Sequence, residues 1–423
     1  MGTLLSILFC VVYIFLGNVY EAFRIDISRK KEIWLSQILS IFLSDTVMYF
    51  LMVLLAGKMI TLVSIFVVFL VQIMLAGIWT LLCSKIYDRC NPSQKTAILY
   101  SEIRDEHYLK NIHSISRRFQ VEKWICVSQS AETMLKELEG IKVVFMRGLS
   151  SNERNTVLKY CIAHNIEVYQ YPKIGDVIMT GAEQLHMFHE PVMYSCRYNP
   201  SLSYMIIKRF LDVCVSLLGI VILSPLFLLV ALSVKLYDRG PAIFSQVRLT
   251  QNGKKFKIYK FRSMRMDAEK DGVARLAEKE DSRITPVGKF IRAVRLDELP
   301  QLFNVLKGDM SLVGPRPERP EIAEVYMQEM PEFALRLQAK AGITGYAQVY
   351  GTYNTLPYDK LQMDLLYISR PSIYMDFKLL LATIKVLFMK ESSEGIEEGM
   401  VMAGIPHTEH QYEEIKGNIQ NEI

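Results

Sequence analysis

What this 423-residue sequence lacks narrows its function early. Its seven cysteines, at positions 10, 83, 90, 126, 161, 196 and 214, include no Cys-x-x-Cys pair. That excludes a disulfide framework and a zinc knuckle and fits a reducing cytoplasm. No glycine-rich turn follows the first soluble apolar run, Ala97 to Tyr100; Ser101-Glu-Ile-Arg-Asp105 stands there instead. The close backbone approach that a pyrophosphate needs is missing, so no dinucleotide is expected in that region. Histidine is scarce, and neither His186 with His189 nor His407 with His410 has a third ligand nearby, so both pairs are read as structural. The formal net charge of +5 is modest, and no nucleic-acid reader is recognisable. Basic residues lie instead beside apolar segments, which favours lipid headgroups and phosphates over DNA or RNA.

What is present is largely hydrophobic, 51% of residues. Three apolar segments open the chain, approximately Leu4 to Tyr20, Ile33 to Ala56 and Met59 to Cys83, and the last two reach the roughly 20 residues needed to cross hydrocarbon. The first lacks the basic n-region and the cleavage site of a signal peptide and is read as an uncleaved span. Arg24, Arg29, Lys30 and Lys31 in the first loop, with Lys85 and Arg89 after the third segment, predict an external N-terminus and a cytoplasmic chain after Cys83. Residues 1–92 are thus expected to form three transmembrane helices.

Residues 93–200 read as a Rossmann-like α/β domain with a degenerate nucleotide motif. The apolar runs Ala97 to Tyr100, Trp124 to Val127, Val143 to Met146 and Ile166 to Tyr169 alternate with helix-like stretches, which predicts a parallel sheet. A spacer or regulatory role is expected for it. A fourth apolar segment, 210–234, carries basic residues on both flanks, Lys208 and Arg209 before it and Lys235, Arg239 and Arg248 after it, and it is interrupted by Ser224-Pro225. By length alone it reads as a kinked span. The symmetry of its charges favours a re-entrant helix that bends at Pro225 and returns to the same face, with the Ser224 hydroxyl offered to a freed carbonyl. Beyond it, Ile243 to Arg248 and Phe256 to Phe261 flank Asn252-Gly253, a pair suited to a tight hairpin. The charged stretch from Asp267 to Arg283 reads as a mobile loop.

Chemistry concentrates further on. Asp297 and Glu298 are adjacent carboxylates following Arg292 and Arg295; Leu299, Leu302, Phe303 and Leu306 then recur at helical spacing up to Gly308. Asp297 is expected to cap that helix, with Pro300 in its first turn. A helix N-terminus attracts phosphate, and Arg292, Arg295 and Arg316, the last on Gly314-Pro-Arg-Pro317, can add guanidinium forks. Two carboxylates in such a field can hold Mg2+, which favours one or two carboxylates with substrate phosphates and water. A carboxylate can also attack phosphorus when cations neutralise the approaching charges.

Lys208-Arg-Phe-Leu-Asp212, Ser224-Pro225, Phe256 to Met264, Leu296 to Ser311, Gly314 to Pro320 and Gly342-Ile-Thr-Gly345 together resemble the bacterial sugar transferases, the monotopic phosphoglycosyl transferases that prime surface-polysaccharide synthesis. The likeness runs from about Tyr204 to Lys390, and the preceding spans and degenerate domain are similar to the long-form members. The resemblance implies a membrane α/β protein whose catalytic domain, 201–395, carries the re-entrant helix, amphipathic helices and short strands, before a polar tail, 396–423. It implies transfer of hexose 1-phosphate from a UDP-hexose to undecaprenyl phosphate in the bacterial inner membrane, with the catalytic domain facing the cytoplasm. Downstream glycosyltransferases and a homo-oligomer are the implied partners.

Asp297 matches the family nucleophile, and Glu298 completes a dyad that supports magnesium. Arg292 and Arg316 match phosphate-contacting or nucleotide-contacting positions, with Arg319, Lys257 and Lys260 as further candidates, and Asp364 and Asp376 match later acidic positions. An ordinary helix-capping role is the alternative for those two aspartates. The sequence departs from the family pattern in having three N-terminal spans instead of four, Ala341 for proline, Tyr346 for tryptophan and Thr352 where an arginine is common. The apolar helix from Phe377 to Met389 fits a headgroup-level helix and a buried core helix equally well. A vestigial membrane scaffold and a polytopic transporter are weaker readings, since the dyad is intact and only one apolar segment is broken.

Overall fold

The computed structural model describes residues 2–26, 28–59, 61–100, 118–127, 131–266, 268, 281, 283–351 and 355–387. The Ser101–Asp105 stretch, most of the expected loop at 267–283, Thr352, Met389 and the tail with His407 and His410 lie outside these. The chain forms two compact units, Met1–Pro172 and Lys173–Ile423. Helix 174–180 and hairpin 183–194, expected within the 93–200 domain, therefore belong to the second unit.

In the first unit, α1 (Gly2–Val19), α2 (Lys30–Ala56) and α3 (Leu62–Cys90) are each long and apolar enough to cross a membrane. Many of their large aliphatic side chains face outward, though Leu16, Ile33, Leu39 and Ile41 are buried between the helices' inner faces; Ser40, Ser44, Thr80 and Ser84 are buried too, each hydroxyl donating to the carbonyl four residues back. Small residues that satisfy themselves let apolar helices approach where water offers no driving force. The same unit holds β1 (Gln94–Tyr100), β2 (Phe119–Cys126), β3 (Val143–Arg147) and β4 (Glu167–Gln170), all parallel in the order β2-β1-β3-β4. Ala97 and Leu99 on one face join the core with α4 (Ala131–Glu137) and α5 (Ser151–Ala163), and Ile98 on the other joins Phe119 and Phe145. Burial on both faces explains why the central strands β1 and β3 read as continuous apolar runs.

The second unit opens with α6 (Ile174–Thr180) and the antiparallel pair β5 (Glu183–Met187) and β6 (Glu190–Tyr194), where His186 and His189 are exposed. Next comes α7, Leu202–Asp238, a 37-residue helix with Pro225 inside it. Proline removes the N–H that the Val221 carbonyl would accept, and the Ser224 hydroxyl donates to that carbonyl at 2.8 Å instead.

One face of α7 is tied to the body of the unit. Lys208 Nζ meets Asp376 at 2.9 Å, and Arg209 donates to the carbonyls of Val305 and Leu306 at 2.7 and 2.8 Å, closing the C-terminus of a short helix. The buried Asp212 carboxylate accepts the Leu312 N–H at 3.0 Å. At the far end Asp238 pairs with Arg262 and accepts the Gly240 N–H. Leu217, Leu218, Val221, Ile222, Leu228 and Leu229 project outward and are exposed.

Strands β7 (Ile243–Leu249) and β8 (Lys255–Phe261) form the expected hairpin, with positive φ at Asn252 (59°) and Gly253 (73°). After α8 (Pro286–Ala293), α9 (Gln301–Lys307) ends at left-handed Gly308, as its spacing predicts. Its N-terminus differs from expectation. Pro300 is the boundary residue of α9, while Asp297 lies inside a separate 3-10 turn, Leu296–Glu298. The cause is Arg295, whose left-handed φ of 54° redirects the chain just before the dyad.

Parallel β9 (Ser311–Val313) and β10 (Gly342–Thr344) set Gly314 against Gly342 and Gly345, where any Cβ would strike backbone atoms of the opposing segment. This close approach explains glycine at those positions. The remaining helices are α10 (Pro320–Glu329), α11 (Tyr346–Tyr350), α12 (Pro357–Ser369) and α13 (Ile373–Leu387). In the last, Leu379, Ala382 and Val386 are buried in the core of the unit while Tyr374, Phe377 and Leu387 are exposed.

Replacing Asp212 by Ala strands the buried Leu312 N–H and is expected to cost about 1–3 kcal/mol in denaturant unfolding of the detergent-solubilised protein. Asp212→Asn keeps an acceptor and should lose clearly less.

Candidate active site

The dyad is assembled from three directions. Lys260 points inward from β8 with Phe256 and Ile258, because residues two apart share a strand face. Asn304, fully buried on α9, fixes the two elements together: its Oδ1 accepts the Tyr259 N–H at 3.0 Å and its Nδ2 donates to the Lys257 carbonyl at 2.7 Å. Arg316 comes from the turn after β9, held by Gly314 N–H to Thr344 carbonyl (2.9 Å) and Gly342 N–H to Pro315 carbonyl (2.9 Å).

These placements converge on Glu298. Its Oε1 accepts from Lys260 Nζ and from Arg316 Nη2, both at 2.9 Å. Burial opposes its charge, but Arg316, Lys260 and Arg295 outweigh that and hold the carboxyl well below the usual range. Glu298 is therefore a fixed anion, and Arg316 in turn is held more firmly protonated by it.

Asp297 differs. It is 8% exposed, and among the described residues no donor hydrogen-bonds its carboxylate. Burial pushes its carboxyl above the ordinary value, with Lys260, Arg292 and Arg316 pulling the other way and Glu298 adding to the rise. Two neighbours in sequence thus have opposite environments, one clamped by cations and one buried with its oxygens uncommitted, the pattern by which sites separate chemical roles.

Of the other expected residues, Arg292 in the last turn of α8 lies close enough to act on Asp297 electrostatically. Arg319 is the N-cap residue just before α10, three residues past Arg316. Lys257 stands apart: three residues from Lys260, it falls on the opposite strand face and is exposed.

Asp364 and Asp376 are buried and cap neither helix by side chain. Asp364, mid-way along α12, accepts from Arg336 at 2.7 Å. Asp376 accepts from Lys208, Tyr204 (3.0 Å) and Tyr367 (2.7 Å), joining α7 to α12 and α13. Asp364 bears on the site through Arg336, whereas Asp376 is an anchor for α7.

Arg336 is the residue that sequence reasoning missed. It binds Asp364, reaches Glu318 at 3.4 Å and donates to the Arg316 carbonyl at 3.0 Å, so it holds the main chain that presents Arg316. Its only sequence signal is one charge within the apolar stretch Phe333-Ala-Leu-Arg-Leu337. Nothing in spacing links it to Asp364.

Magnesium fits the donor set. Among the described residues Asp297 has both oxygens uncommitted and Glu298 keeps Oε2 clear of the two cations on Oε1, which suits an ion that takes one or two carboxylates and completes its shell with phosphate and water. The arrangement as a whole is an anion receptacle with an embedded carboxylate.

A family model described as bacterial sugar transferase matches residues 203–390. An uncharacterized sugar transferase of Haemophilus influenzae is 32% identical over 329 residues, covering 70% of this chain and 67% of its own length. The chain belongs to the bacterial sugar transferase family. A UDP-glucose:undecaprenyl-phosphate glucose-1-phosphate transferase of Caulobacter vibrioides is 41% identical over 191 residues, 44% of this chain and 71% of that protein. A UDP-N-acetylgalactosamine-undecaprenyl-phosphate N-acetylgalactosaminephosphotransferase of Aeromonas hydrophila is 38% identical over 240 residues, 56% of each chain. The chain spans 56%, 51% and 42% of three curated relatives that it matches. In this sugar transferase, all the site residues described above fall within the matched region.

Arg336→Met leaves Asp364 as a buried carboxylate without its cation and is expected to destabilise the protein by about 3–5 kcal/mol. Chemical denaturation followed by hydrogen-exchange protection of peptides around residues 336 and 364 checks this, since all three tryptophans lie in the first unit.

Proposed function

We propose that this protein transfers hexose 1-phosphate from a UDP-sugar to undecaprenyl phosphate through a covalent aspartyl intermediate, and so primes capsule or exopolysaccharide synthesis. The observation that carries the reading is Asp297, a buried carboxylate that no described donor engages, beside an anion clamped by Lys260 and Arg316. The names of its relatives, which act on UDP-sugars and undecaprenyl phosphate, support the same substrates.

In the first step an Asp297 oxygen attacks the sugar-bearing β-phosphorus. A P–O bond forms, the bond from that phosphorus to the bridging oxygen breaks, and UMP leaves with the electron pair. Arg316, Arg292 and Lys260 lower the repulsion between carboxylate and phosphate, and burial of Asp297 replaces its hydration shell by fixed charges. In the second step an acceptor phosphate oxygen attacks the same phosphorus and the Asp297 carboxylate departs, restored. Glu298 keeps its cations in position through both steps. Magnesium, when bound by Asp297 and Glu298, supplies further charge neutralisation.

The acceptor is a membrane lipid, so the site must lie at the cytoplasmic face of the bacterial inner membrane. We place α7 there as a re-entrant helix. Both its ends are tied to one unit, basic residues flank both, and its outward face is apolar around Ser224-Pro225. Straight, 37 residues measure about 55 Å, well beyond a hydrocarbon core of about 30 Å. Downstream glycosyltransferases and self-association would follow from this place in synthesis.

Asp297→Asn is expected to lower UMP release from UDP-hexose by about 10³-fold or more and to abolish a radiolabelled sugar-phosphate adduct; undiminished UMP release would remove Asp297 as nucleophile. Only ionised Asp297 attacks, so the rate should fall as pH drops through a value above the ordinary aspartate range of about 3.9. Lys260→Met removes a cation that opposes burial and should move that acid limb further toward neutral pH. Tyr237→Cys should be labelled from the cytoplasm, and labelling from the periplasm alone would refute the re-entrant arrangement.

A further inference from the structure

Beside the dyad lies a cavity of about 150 Å3. Leu302, Ile343, Val349 and Val386 contribute to its walls, and Arg295 and Glu298 stand at its charged side. Two threonines in the wall satisfy each other: Thr344 and Thr383 hydroxyls are 2.7 Å apart, and Thr383 also donates to the Leu379 carbonyl at 2.7 Å. The wall is therefore aliphatic in effect. A recess with walls of this kind and about the volume of a small hydrocarbon suits an apolar group better than a polar one. Left empty, it would weaken the core around it.

We propose that this cavity holds the isoprene unit next to the phosphate of the polyprenyl acceptor. The inference rests on the reaction proposed above and adds where its lipid substrate is recognised. Three observations point to this occupant. A phosphate that attacks at Asp297 must bring its nearest hydrocarbon within a few bonds of the dyad, and the cavity adjoins Glu298. One isoprene unit is a small hydrocarbon of that kind. The rim at Arg295 is cationic where the lipid's phosphate would lie, so charge and hydrocarbon are arranged as in the ligand, head outward and chain within.

The wall has one unsatisfied acceptor. Gln348 Nε2 donates to the Ile343 carbonyl at 2.8 Å, while its buried Oε1 has no partner among the described residues. A donor-sugar hydroxyl or amide N–H would satisfy it, which makes the sugar the competing occupant.

The test uses the full chain in lipid nanodiscs. Val349→Phe fills the cavity and is expected to raise the KM for undecaprenyl phosphate by roughly tenfold or more. The UMP burst from UDP-sugar without lipid, and the donor KM, should stay within about twofold of wild type. A raised donor KM would assign the cavity to the sugar, and an unchanged lipid KM would leave it without a role; either overturns the proposal. Wild-type protein supplies a second measurement that no folding defect can confuse: a polyprenyl phosphate carrying a photoreactive group on its first isoprene should crosslink to peptides containing Val349 or Val386. Labelling confined to other peptides also overturns it. A wild-type protein that releases no UMP from any UDP-sugar would sink the proposed reaction instead, and crosslinking reads occupancy independently of turnover.

Discussion

The site depends on the pairing of Glu298 with Lys260 and Arg316. One carboxylate oxygen takes both cations at 2.9 Å, and the three residues come from a 3-10 turn, a hairpin strand and the turn after β9. A partly buried ion pair gains little net stability by itself, since desolvation offsets attraction. Its value here is positional: two cations that would otherwise sample many rotamers are held beside Asp297. The cost of collecting positive charge in a half-buried place is met by the anion at their centre, and Asp297 is left uncommitted.

Around that centre the protein supplies successive supports that themselves need not touch a substrate. Asn304 fastens α9 to β8, Arg336 carries the Arg316 main chain, and Asp364 holds Arg336. Lys208, Arg209 and Asp212 attach α7 to the same framework. The membrane-seeking helix and the anion site are thus built on shared elements, so the depth of one fixes the height of the other. A reaction that joins a cytosolic donor to a bilayer lipid requires such a coupling.

How much of this could be read from residues alone differs by element. The parallel sheet of the first unit was legible because its central strands β1 and β3 are buried on both faces and read as short apolar runs between polar stretches. Asn252-Gly253 announced its hairpin through backbone preferences that act over two residues. The helix after the dyad was legible from its period and its closing Gly308. Its first residue was not, since the left-handed Arg295 is held by surrounding structure and not by any preference of arginine. Lys257 and Lys260 looked alike in sequence, and strand alternation sent them to opposite faces.

By itself the sequence determined most element types, the long apolar helix with its internal proline and the identity of the acidic pair, because these follow from local conformational preference, hydrophobic period and the matching of a long motif. Only the tertiary structure decided which acid is clamped and which is free, that Asp364 and Asp376 are buried anchors, and that Arg336 matters at all. Those outcomes depend on contacts between residues tens to more than a hundred positions apart, such as Lys208 with Asp376. Distance along the chain carries no record of distance in space until the core has brought the segments together.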